Sequence, residues 1–133
     1  MSSNTRFAVA VHILTLLAQS HDDQAPATSE VIASSVNTNP VVIRRVLGAL
    51  RRERLVTSQG GNGGGWRLAD DPSAITLRDV YRAVAGEPLL QLHHRPPIPA
   101  CAVGRHFQPA LAGRFAAASY AVEADLARTS VEQ

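Results

Sequence analysis

Arg44, Arg45, Arg51, Arg52, Arg54 and Arg67 crowd into one short stretch whose only acidic residue is Glu53. A guanidinium is a planar fork that can hold a phosphate, or the edge of a guanine, with two parallel hydrogen bonds, so this cluster is a surface for anions. All 13 basic residues of the chain are arginine. That uniformity is what genomic GC bias produces, so only the clustering points to a function. The formal net charge is only +2, so an anionic partner would be met through this local patch. Cys101 is the single cysteine. Arg105 and His106 follow it, and positive neighbours favour the reactive thiolate; the opposing reading makes it a small apolar residue placed for packing.

The elements that would position these groups follow from periodicity. Phe7, Val11, Leu14 and Ala18, flanked by Ile13 and Leu17, recur at three and four and predict a helix over Thr5–Gln19. The segment from His21 to Pro26 is polar and ends in proline, an exposed connection. Thr28 offers an N-cap for a second helix to Val36, with Glu30 in its first turn and Val31, Ile32 and Val36 turned inward. Asn37, Thr38 and Asn39 make a tight turn, Asn39 caps, and Pro40 opens a third helix to about Arg54. Its faces sort cleanly: Ile43, Val46, Leu47 and Leu50 point inward, while Val41, Arg44, Arg45, Gly48, Arg51 and Arg52 project elsewhere.

Leu55–Ser58 and Trp66–Ala69 read as strands joined by the glycine-rich tip Gln59–Gly65, a β-hairpin. Ile75 adds a brief extended segment, and Thr76 caps a fourth helix, Leu77–Ala85, with Leu77, Val80, Tyr81 and Val84 inward and Gly86 as its stop. Glu87–Ala100 holds four prolines, two adjacent histidines and no period, and reads as an irregular loop. From Pro109 to about Thr129, Leu111, Phe115, Ala118, Val122 and Leu126 form a narrow apolar seam. Such a helix needs a partner, either by folding back on its own chain or, the favoured reading, as a dimer arm. The fold class is therefore mainly α with a small β-hairpin, a winged helix-turn-helix with a C-terminal dimerisation helix. Residues 1–86 would be the DNA-binding part, 87–108 an effector or sensor loop, and 109–133 the dimerisation helix and tail.

Two short helices across a tight turn, the second bearing exposed arginines and followed at once by a hairpin, match the order of that motif. Asn39, Val41, Arg44 and Arg45 fall where base edges would be read, and Arg51, Arg52 and Arg67 where phosphates would be met. Thr28, Ser29 and Pro40 complete the contact set on the helix starts. At the hairpin tip Asn62 and Gly63 would enter a narrow minor groove, although such tips are often only flexible turns.

Other classes fit less well. A glycine-rich run can cradle a nucleotide phosphate, but this chain has no lysine to complete that motif and the run leads into a strand. Catalysis lacks a constellation: the acids are scattered, Ser119 and Ser130 have no evident base, and Cys101 has no paired histidine and acid. A metal site using His12, His93, His94 or His106 with Cys101 is chemically conceivable, yet the spacing fits no standard signature. His12 is equally a core side chain. A dimeric adaptor presenting the arginine face to an acidic protein is the main alternative to DNA binding. With no apolar run near the 18 residues of a membrane helix and no disulfide pair, the expected compartment is the cytoplasm.

The residues Leu55–Ser58 through Gly63–Ala69, then Asp71–Pro72, Ile75–Val80 and Ala83–Gly86, resemble the Rrf2 family of bacterial regulators over nearly the whole chain. The resemblance implies a homodimeric repressor of palindromic operators in double-stranded DNA. Some members of that family hold an iron-sulphur cluster on three closely spaced cysteines before the dimer helix. Here only Cys101 stands there, within Pro99–Arg105, which resembles the single-cysteine branch without a cofactor; oxidation of that thiol is the signal its positive neighbours suggest, beside the packing reading.

Overall fold

The computed structural model describes residues 3–20, 26–61, 63–86, 90–92 and 101–132, with side chains from residue 5 onward. Helix α1 (Ser3–Gln19) buries Ala10, Ile13, Leu14 and Leu17. The predicted stripe members Phe7, Val11 and Ala18 are half-buried beside them. The apolar arc of α1 is wide because α2, α3, α4 and the hairpin all pack on it. Helix α2 (Ser29–Val36) and helix α3 (Pro40–Arg52) follow, α3 burying the expected Ile43, Val46, Leu47 and Leu50. Strands β1 (Val56–Gln59) and β2 (Gly65–Leu68) pair antiparallel with Val56 opposite Leu68, both in the core.

One packing expectation for α2 fails. Val31 is 59% exposed, and Ala33 takes the inward place beside Ile32 while Val36 is half-buried. In an eight-residue helix a shift of one position turns a side chain about 100°, so an isolated valine next to the true core residue is easily misassigned.

Ala27, just before α2, exchanges two backbone hydrogen bonds with Trp66, at 2.8 and 3.1 Å, and so ties the entry to the helix-turn-helix onto the hairpin. A 3-10 turn (Pro72–Ala74) leads through the buried Ile75 to helix α4 (Leu77–Val84). The N-terminus of α4 has a reciprocal cap: Asp79 N donates to Thr76 Oγ1 at 3.1 Å, and Thr76 N donates to Asp79 Oδ2 at 3.0 Å. Phe7 of α1 meets Tyr81 of α4 edge-on, with centroids 5.7 Å apart.

Helix α5 spans Ala102–Leu126, so it starts well before Pro109 and takes in residues 102–108 that the sequence assigned to the loop. Proline is favoured at the first position of a helix. Here Pro109 is interior and leaves the Arg105 carbonyl without its usual donor. At the other end the helix stops at Leu126 rather than Thr129. Leu77 N donates to Thr129 O and Val131 N to Ile75 O, both at 2.9 Å, and Val131 enters the core at 4% exposure. The chain end is thus a strap that fastens α5 to the segment before α4.

Candidate nucleic-acid interface

The geometry of the helix-turn-helix is set by its caps. Thr28 Oγ1 accepts from Val31 N at 3.2 Å, and Asn39 Oδ1 accepts from Val41 N at 2.8 Å. Between them Asn37 adopts the left-handed conformation (φ 61°), which asparagine tolerates better than most residues, and the amides of Asn37 and Thr38 both close on Ala33 O. Pro40 follows in the first turn of α3, where a missing N–H costs nothing.

The buried stripe of α3 fixes which side faces solvent. Four fully or nearly buried side chains contribute on the order of 6–12 kcal/mol of gross transfer free energy. That burial anchors the helix and leaves Val41, Arg44, Arg45, Arg51 and Arg52 exposed on the opposite side. Val41, 46% exposed at the first turn, is an apolar tip suited to a thymine methyl. The arginines divide. Arg51 reaches back to the hairpin, its Nη1 donating to Ser58 Oγ at 3.3 Å and its guanidinium lying 5.7 Å from the Trp66 ring centre. Arg44 stands 3.7 Å from Glu30 of α2, both side chains in solvent. Arg45 and Arg52, with Arg44 beside them, line a groove bounded by α1 and the end of α4.

Other predicted contacts are placed unevenly. Thr28 and Asn39 are exposed, whereas Ser29 is only 8% exposed and presents no side chain to a ligand. Helix α2 turns Ser29 inward because its neighbours Thr28 and Glu30 take the outward positions. Arg67 is half-buried on β2, its Nε enclosed without an acceptor among the described residues. Asn62 lies outside the described residues. Gly63 is exposed, with φ 77°.

The tip glycines have a reason that the sequence did not disclose. A Cβ on Gly64 would lie 2.2 Å from Gln59 O, and one on Gly65 would lie 2.6 Å from Ala27 O. At these two positions the close approach is to the chain's own backbone.

Cys101 is exposed and occupies the N-cap of α5 without a side-chain hydrogen bond to the helix. His106 is exposed on α5, and His12 is exposed on α1 rather than in the core. His93, His94 and most of the predicted 87–100 loop lie outside the described residues. Among the described residues no three of His, Cys, Asp and Glu converge. No helix of the described residues is long and apolar enough to cross a membrane.

A mainly helical domain with an arginine-faced second helix and a glycine-tipped wing defines a winged-helix DNA-binding regulator. The family model for Rrf2, described as an iron-dependent transcriptional regulator, matches residues 3–133, and the chain belongs to that family. It is 43% identical over 129 residues to YwnA of Bacillus subtilis, described as an HTH-type transcriptional regulator, covering 97% of this chain and 93% of that one. It is also similar to the structure of CymR, the global cysteine regulator of B. subtilis, with a TM-score of 0.69, 26% identity, and coverage of 99% and 92% of the two chains. The structure of IscR from T. potens shares the fold at a TM-score of 0.67 and 21% identity, covering 99% of this chain and 82% of that one.

The chain is a transcriptional regulator, not an enzyme. The iron in the family description finds no matching donor set in the described residues. A cluster needs about four ligands, usually thiolates, and the chain has a single cysteine.

Proposed function

We propose that the protein is a homodimeric repressor that binds palindromic operators, with α3 in the major groove and the hairpin wing against the minor groove. The observation that carries this reading is the division of α3: one face buried in the core, the other presenting Val41, Arg44, Arg45 and Arg52 from a rigid, doubly capped motif. Asn39 at the first turn joins Val41, Arg44 and Arg45 as base readers. Thr28 and the first turns of α2 and α3 lie against phosphate, where the positive helix ends favour an anion. Arg51, Arg67 and the wing tip at Asn62 and Gly63 follow the flanking backbone and groove. Ser29 contributes through its backbone alone.

The second copy docks on α5. That helix buries no residue completely, and its seam of Leu111, Phe115, Ala118, Val122 and Leu126 is half-covered, with α4 as its main neighbour. A two-fold dimer places the recognition helices on half-sites about 34–36 Å apart, one turn of the duplex.

Cys101, exposed where α5 begins, is the group through which peroxide would act. Its thiol and one peroxide give the sulfenic acid and water, and a second copy's thiol can then condense with it to a disulfide, releasing another water. A gel shift on duplex DNA from the region upstream of the chain's own gene tests the whole reading. Salt-sensitive binding as a dimer is expected, with release by peroxide in the native protein and retention in Cys101→Ser. Binding by an acidic protein partner without any binding to DNA would favour the adaptor reading.

A further inference from the structure

Beside α3 runs an open trough of about 560 Å³, lined by residues from α1, α3 and the end of α4. Its lining is aliphatic at Val42 and Val84 and carries Arg6, Arg45 and Arg52, with Arg44, the partner of Glu30, at its edge. Among the described residues its lining contains no carboxylate and none of the hairpin. Arg45 and Arg52 are two helical turns apart, about 10 Å along the axis. Phosphates on one DNA strand advance only about 3.4 Å each along the duplex. A continuous strand therefore offers successive phosphates along the length of this trough.

Gly48 lies between the two arginines on the same face, three residues after one and four before the other. Glycine is a poor residue for a helix interior, and nothing in the fold demands it here. A Cβ at Gly48 would meet only Arg52 Nη1, at 3.8 Å, an ordinary contact. The missing side chain leaves room at the middle of the trough, where Arg52 Nη1 reaches back.

We propose that this trough seats the DNA phosphate backbone and that Arg6, from the first helix, is a phosphate-binding residue of the interface. The proposal rests on the regulator reading above and adds a contact outside the helix-turn-helix. Arg6 and Arg52 hold one strand beside the groove that α3 enters, independent of sequence, while Arg45 at the other end of the trough reads base edges.

The test uses the full chain and fluorescence anisotropy across a salt series, on the upstream duplex and on a scrambled duplex. Arg6→Gln is expected to lower the slope of log affinity against log salt by about one on both duplexes alike. Gly48→Leu, which fills the middle of the trough without changing charge, is expected to weaken both by about tenfold. Unchanged slope and affinity in the two variants, with salt-sensitive binding by the native protein, would overturn the seat and leave the regulator reading standing. Displacement of either duplex by micromolar inorganic pyrophosphate, lost in Arg6→Gln, would overturn it in favour of a small-anion site. Failure of the native protein to bind either duplex at any salt would remove the regulator reading and this proposal together.

Discussion

Helix α3 and helix α5 are built on opposite plans. Helix α3 has 13 residues and buries four of them, so its position is settled by the core and its outer face is free for arginine. Helix α5 has 25 residues and buries none, although Val103 and Tyr120 are 72% and 77% exposed and a half-covered apolar seam runs along it. What holds α5 is contact with α4, the Arg82–Glu123 ion pair and the strap at residues 129–131. A helix positioned by burial can present a rigid reading surface. A helix fastened mainly at one end leaves its apolar seam half-covered, and that seam is the surface on which the proposed dimer forms.

The two plans predict effects of very different size. The largest effect is expected for Leu47→Ala, because Leu47 is fully buried in the α3 stripe; chemical denaturation should show a loss of about 2–5 kcal/mol. Phe115→Ser, half-way along α5, is expected to raise the dimer dissociation constant by about 10- to 100-fold in sedimentation experiments. A comparable loss of monomer stability without a change in association would mean that α5 is simply part of the core. Thr76→Ala removes one half of the cap that starts α4 and should cost about 1 kcal/mol in thermal unfolding. Glu123→Gln breaks the pair with Arg82, whose side chain is exposed while that of Glu123 is half-buried, and should cost about 1 kcal/mol, fading in part in high salt.

The same contrast governs what the sequence disclosed. The α2–turn–α3 unit was legible because its signals are local: Thr28, Asn39 and Pro40 each act within three residues, and the α3 stripe repeats over three turns. The fourth helix was legible for the same reason through Thr76 and Asp79. Val31 was misread because two turns of helix give too few repeats to fix the phase. The start of α5 was misread because a proline, normally an opening signal, sits inside it.

Contacts between distant segments left no mark at all. The strap from Val131 to Ile75, the docking of Gly65 on Ala27, and the meeting of Arg6 with the arginines of α3 depend on chain reversals that no periodicity encodes. The arginine cluster itself was visible, but its division into hairpin-linked Arg51 and groove-lining Arg44, Arg45 and Arg52, with Arg44 also near Glu30, required the fold.

The most direct measurement is the affinity of the native protein and of Arg44→Ala/Arg45→Ala for the upstream duplex and for a scrambled one, at two salt concentrations. A steep salt dependence in the native protein is predicted, with the double variant losing about 1–3 kcal/mol of discrimination at each base it reads and converging on its affinity for scrambled DNA. Equal discrimination by the native protein and the variant would contradict the assignment of α3 as the reading helix.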